Sequence, residues 1–317
     1  MIEWKKANQR KAFGEVLVEL GKECNDLVAL TADLSTSTRT SEFEKSYPSR
    51  FFNFGVAEQN MFTTAAGLAL SNKIVIASTF AVFASGRALD QIRQSIAYQN
   101  LNVKIVATHG GVTVGADGAS HQCIDDLGIM TTLPNMKVVV PCDAIETKKA
   151  VRACINAQGP FYIRLGREDV PTVTKGDDKF ELGKGNVLKD GKDIVLIATG
   201  IMVSKCLIAA QELAERGINA KVINIHTIKP IDRALIKKVA EETNLIITAE
   251  EHSIFNGLGA MVSYVVCEDK PVRVERIGIP DVFGESGSAE ELMEKYGLSA
   301  ENIVNKAIKL MEEKRES

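Results

Sequence analysis

Phe51-Phe52-Asn53-Phe54-Gly55-Val56-Ala57-Glu58-Gln59-Asn60 is an apolar run that delivers one carboxylate and one amide to the start of a helix. A glutamate among apolar neighbours is held partly out of water and becomes available for proton transfer. Taken alone, Glu58 reads as a first-turn acid favoured by the helix dipole. Its flanks change the weighting. Upstream lies Asp33-Leu34-Ser35-Thr36-Ser37. Downstream come Ser78-Thr79-Phe80-Ala81-Val82-Phe83, then His109 before a glycine-rich loop that ends in Asp117-Gly118-Ala119-Ser120-His121-Gln122.

Working outward, short β-branched runs alternate with helical patterns. The runs at 27–31, 74–78, 103–109, 136–140 and 161–165 read as strands. Apolar positions three to four apart, as in Ala12-Phe13, Val16-Leu17 and Leu20, read as helix between them. Such alternation predicts an α/β fold: a mainly parallel sheet with helices on both faces. Pro171 to Gly191 breaks the pattern with Lys, Asp and Gly, and reads as a linker with a short strand near Val187-Leu188. A second α/β unit follows, with strands at 194–199, 220–225, 245–249 and 272–277 and a helix at 203–216 closed by Gly217. The expected division is 1–172 for the first domain, 173–190 for the linker and 191–317 for the second domain.

A chain of 317 residues suits about two domains of ordinary size. The formal charge of -3 gives no bulk drive toward nucleic acid or an anionic membrane. No apolar run approaches a membrane span, and Met1-Ile2-Glu3-Trp4-Lys5-Lys6 lacks the apolar core of a signal peptide. Six cysteines without a Cys-x-x-Cys pair read as reduced core thiols. These features point to a cytoplasmic protein.

Several residue sets admit both a structural and a chemical reading. Phe80 and Phe83 lie three apart after a strand, a spacing that also suits plain core packing. His109 and His121 bracket a glycine-rich loop at a strand end, where open α/β sheets bind ligands and glycines let the backbone come close. Each histidine alone also fits a satisfied turn residue. The two are too far apart in sequence, and lack a third ligand, for a metal site. Arg167 reads as a surface charge or as an anion ligand through its planar fork. Asp33 reads as a turn former after a strand.

Taken in order and spacing, Asp33-Leu34-Ser35-Thr36-Ser37, Gly55-Val56-Ala57-Glu58-Gln59-Asn60, Ser78-Thr79-Phe80 and the His109 to His121 loop resemble the C-terminal half of transketolase. The resemblance runs from Lys5-Lys6-Ala7-Asn8-Gln9 to the last helix. It implies a pyrimidine-binding domain followed by the transketolase C-terminal domain, in an enzyme that moves two-carbon ketol units between sugar phosphates. The implied cofactor is thiamine diphosphate, which supplies the electron sink. Glu58 would bond the aminopyrimidine ring nitrogen, with Phe52 and Phe54 expected to help desolvate it. Phe80 and Phe83 would wall the ring, and Asp33 would lie on the thiamine side. His109 would meet the phosphorylated end of the sugar, Asp117 a hydroxyl near it, and His121 the hydroxyls at the reacting end. Arg167 and Ser37 would hold the phosphate, with Lys5 standing where the family has a second arginine. Gly86 stands where the family has a further aromatic. Thr248-Ala249-Glu250-Glu251-His252 before Gly257-Leu258-Gly259 reads as a structural helix start.

The family also holds the diphosphate and its magnesium with Gly-Asp-Gly and a downstream Asn, oxygen ligands suited to that ion. That motif is absent from this sequence; Gly115-Ala116-Asp117-Gly118 is not it. The resemblance therefore implies half an active site and no metal ligands on this chain. The other half would come from a partner subunit with the diphosphate-binding domain, assembled on a dimer core of this chain as a heterotetramer. A deoxyxylulose-phosphate synthase-like or 2-oxoacid dehydrogenase beta-like subunit shares the architecture and the glutamate, and the sugar-binding loop favours transketolase. A non-catalytic binding or regulatory subunit is the reading of another class.

Overall fold

A computed structural model describes residues 4–316. Among the described residues it contains one large sheet for each α/β unit and a two-stranded antiparallel ribbon of Lys6–Asn8 with Asp169–Pro171. The first sheet has seven strands, in the order Thr227–Lys229, Lys137–Val139, Phe161–Arg164, Val103–Thr108, Ile74–Phe80, Leu27–Thr31 and Phe51–Asn53. All neighbours run parallel except the first pair. Every residue of Leu27–Thr31 and Val103–Thr108 is buried, as expected for parallel strands covered on both faces. The β-branched and aliphatic runs seen in the sequence are the direct cause.

One face is covered by the helix Gln9–Glu23, whose Asn8 side chain caps its N-terminus by accepting from Lys11 N at 3.2 Å. Phe13, Val16, Leu17 and Leu20 line its buried side and share a core with Ala150, Val151 and Cys154 of the helix Ala144–Asn156. The opposite face is covered by the helix Glu58–Leu70, through Met61, Phe62, Ala65 and Ala66. Chain order reverses between Leu27–Thr31 and Ile74–Phe80: the chain steps outward to Phe51–Asn53, then back across. A crevice at the carboxyl ends of such a reversal is where open α/β sheets place ligands.

The second sheet has five strands, in the order Arg273–Ile279, Leu245–Ser253, Ile194–Ala198, Ala220–Asn224 and Asn186–Lys189, with only the last pair antiparallel. Its helix Met202–Glu215 ends in a left-handed Gly217, and Ile218 N reaches back to Leu213 O at 2.9 Å.

The two units are joined by more than the connecting chain. Thr227–Lys229, from beyond the linker, extends the first sheet, and Val140 N donates to His226 O at 2.8 Å. The segment expected to be a linker is itself packed. Val173 N and Thr174 N donate to Asp143 at 2.8 and 2.7 Å, and Phe180 stacks on His226 with ring centroids 4.1 Å apart. Strands of three residues, such as Phe51–Asn53 and Thr227–Lys229, leave too short a pattern to be read from sequence. They are strands only because a neighbour supplies the ladder.

Candidate active site

Three strand ends meet at the crevice. After Leu27–Thr31 comes Asp33, exposed and left-handed at φ 59°. Its N–H donates to Asn53 Oδ1 at 3.0 Å, and Gly55 N donates to the same oxygen at 3.0 Å. Asn53 thus fixes the turn that leads into Glu58. The Glu58 side chain is only 1% exposed, although Phe52 is 41% exposed and Phe54 half-buried. Arg87 Nη1 donates to both Glu58 oxygens, at 3.0 and 2.9 Å. The same guanidinium lies over the Phe83 ring, 4.6 Å from its centroid.

Phe80 ends the strand Ile74–Phe80, and Phe83 follows in a π-helical turn. Their rings stack at 5.8 Å. Phe80 also stacks on His109 at 3.7 Å, and His121 meets Phe83 edge-on at 5.7 Å. Four aromatic side chains from two separate stretches of sequence therefore form one wall. A Cβ on Gly86 would meet nothing within 4 Å, so the residue standing where the family has an aromatic faces open space.

His109 is buried and left-handed at φ 60°, a conformation that costs free energy for a non-glycine residue and concentrates at functional sites. Its Nδ1 lies 2.8 Å from Thr108 Oγ1. Burial, reinforced by Arg10, Arg167 and His121, pushes its pKa down to about 3, so the ring is neutral near pH 7. Arg167 pairs with Asp117 at 3.5 Å and donates to Val114 O. Arg10 donates to Ser37 O at 3.0 Å and to Arg167 O at 2.8 Å, which brings Ser37 and Arg167 together. Lys5 is exposed, and no hydrogen bond or ion pair joins its side chain to this group among the described residues.

Two residues of the site escaped the sequence reading. Arg87 follows Phe83 by four, and no local pattern marks it as the partner of Glu58. Arg10 sits in the first turn of a helix, where a basic residue carries no signal. Its guanidinium is held below its usual pKa by burial and by Arg39 and Arg167, and its Nε is buried without a partner. This is a local excess of positive charge beside Ser37.

The second unit braces the loop. Glu251 Oε1 accepts from Thr113 N at 2.7 Å, and Gln122 Nε2 donates to Gly115 O at 3.1 Å and to Glu285 O at 2.8 Å. Arg164 is buried; it donates to Asp126 at 2.9 Å, to Glu251 O at 2.9 Å and to Cys123 O at 3.1 Å. Glu250 accepts from Leu258 N and Gly259 N, at 2.7 and 2.8 Å, which caps the helix Leu258–Asp269. Its role is structural.

Residues 5–172 match the family described as transketolase, pyrimidine binding domain, and residues 183–303 match transketolase, C-terminal domain. The chain is 50% identical over 307 residues to a putative transketolase C-terminal section from Methanocaldococcus jannaschii, covering 96% of this chain and 95% of that protein. It is 42% identical over 303 residues to one of the subunits of apulose-4-phosphate transketolase from Phocaeicola vulgatus, covering 95% of this chain and 97% of that protein. A solved structure titled as a split gene transketolase, inactive beta4 tetramer, superimposes with a TM-score of 0.90 at 51% identity, covering 96% of this chain and 98% of that one. The chain belongs to the transketolase family, and carries its pyrimidine-binding and C-terminal domains.

Proposed function

We propose that this chain is the C-terminal subunit of a two-chain transketolase, transferring a two-carbon ketol unit between sugar phosphates. The observation that carries the reading is Glu58: a carboxylate 1% exposed, at the sheet's chain reversal, beside the aromatic pair Phe80 and Phe83. A buried carboxylate next to an aromatic face fits a flat heterocycle with a polar ring nitrogen, as in the aminopyrimidine of thiamine diphosphate. When bound, that cofactor supplies the electron sink for breaking and forming the carbon–carbon bond.

This chain's residues do the rest. Glu58 holds the ring nitrogen and the proton shared with it. Phe80 and Phe83 fix the plane of the ring and exclude water, with Asp33 at the thiamine side. Arg167, with Ser37 and the neighbouring Arg10, holds the substrate phosphate, and Lys5 stands where the family has a second arginine. Neutral His109 hydrogen-bonds near that phosphate without adding charge. Asp117 orients a hydroxyl close by. His121, edge-on to Phe83, meets the hydroxyls at the reacting end and moves a proton there.

Because Gly-Asp-Gly and its downstream Asn are absent from this sequence, the diphosphate and magnesium sites are assigned to a partner subunit. Two copies of each subunit would give a cytoplasmic heterotetramer. Support comes from relatives named as a section or a subunit, which this chain matches over nearly their whole length.

The test is to tag the chain in its source cell, identify what co-purifies at equal stoichiometry, and assay the pair for ketol transfer. A partner bearing Gly-Asp-Gly, with activity that falls at least about 100-fold in Glu58→Gln, is the expected result. Full activity of the Glu58→Gln enzyme, or no such partner under several mild extractions, would overturn it.

A further inference from the structure

One side chain stands on both recognition elements of the pyrimidine site. The carboxylate of Glu58 and the face of Phe83 are the two features a flat heterocycle would use, and Arg87 engages both. Its Nη1 donates to Glu58 Oε1 and Oε2, and its guanidinium lies 4.6 Å above the Phe83 ring. Glu58 is 1% exposed, while the Arg87 side chain is 46% exposed. The carboxylate is therefore fixed in the protein, and the arginine is the partner free to leave.

We propose that Arg87 is an internal occupant of the pyrimidine site, standing in for the ring when no cofactor is bound and setting cofactor affinity by competing with it. The inference rests on the thiamine diphosphate reading above. Physically, a buried carboxylate without a partner is costly, so Glu58 needs a cation whenever no ring nitrogen faces it. A cation above an aromatic face is also weakly attracted to it. Both contacts must be given up before a ring can stack on Phe83 and bond Glu58. No bond is made or broken in this exchange, which is a displacement of one partner by another.

The competing role, Arg87 as a prop that merely holds Glu58 in place, predicts the opposite sign. Removing a prop weakens cofactor binding; removing a competitor tightens it. The experiment is calorimetric titration of thiamine diphosphate, with Mg2+, into the assembled two-chain enzyme, in wild type and in Arg87→Leu. Expected is a Kd about tenfold lower in Arg87→Leu, the size of one charge-assisted contact no longer displaced. The cofactor should also raise the melting temperature more in the variant than in wild type, because Glu58 in the variant has no cation before the ring binds. A Kd equal to or higher than wild type would overturn the inference while leaving the cofactor reading intact. Should Arg87→Leu fail to fold, Arg87→Lys decides by the same measurement. A shorter cation without the planar face competes less, so its Kd should fall, and an equal or higher Kd overturns the proposal. Wild-type enzyme that binds no thiamine diphosphate overturns both readings together.

Discussion

Burial decides the protonation of the histidines that face the interior. His109 is pushed down to about 3 and His226 to about 4, each chiefly by loss of water. An unfolded histidine titrates near 6.5. Between that value and the folded one, the unfolded chain binds a proton the native chain refuses, so stability is full above about pH 6.5 and is lost as pH falls. Urea melts at pH 7, 6 and 5 should show His109→Asn with a slope shallower than wild type by up to about 1.4 kcal/mol per pH unit. Equal slopes would refute the assignment. Glu146 acts in the opposite sense: burial raises it to about 7, so its contribution fades as pH rises toward that value. Comparing variant with wild type cancels this background. At this scale the sequence named the side chains but not their state. Phe51 to Asn60 announced Glu58, yet its partner Arg87 lies 29 residues on, and nothing local links them.

Elements explain why the loop between His109 and His121 keeps one shape. Gly111 is left-handed at φ 88°, and a Cβ on it would come within 2.2 Å of the Glu251 carboxyl. Gly111→Ala should therefore cost about 2–4 kcal/mol, combining backbone strain with overpacking against a buried side chain. Thermal denaturation measures it, and a loss under about 0.5 kcal/mol would mean the loop can shift. The glycines were visible in the sequence as a ligand-approach signal, but the neighbour they approach is another part of the same chain. The main strands were legible because their apolar runs are buried on both faces. Lys6–Asn8 and Asp169–Pro171 were not, since each is three residues long and is defined only by pairing with the other.

At the scale of the molecule, Arg164 is the junction. It lies in the first sheet, compensates Asp126 and holds Glu251 of the second unit through the Glu251 carbonyl. Tyr162 Oη donates to the same Asp126 at 2.7 Å. Arg164→Met leaves Asp126 buried without its counter-charge and should cost about 3–5 kcal/mol. Hydrogen exchange should rise at Thr113 to Asp117, because Glu251 loses the arginine that fixes its backbone. Unchanged exchange there would show that the second unit does not brace the site.

Sequence by itself determined what depends on neighbours along the chain: the alternating strands and helices, the glycine loop, and the kinds of side chain available at each strand end. These are legible because periodicity and β-branched content act within a few residues. Only the tertiary structure decided which of those side chains meet. It set Arg87 on Glu58, Arg10 beside Ser37 and Arg167, and the second unit behind the loop. Those pairings follow from sheet order and helix packing, which are set by burying apolar area over the whole chain, and no local pattern encodes that sum.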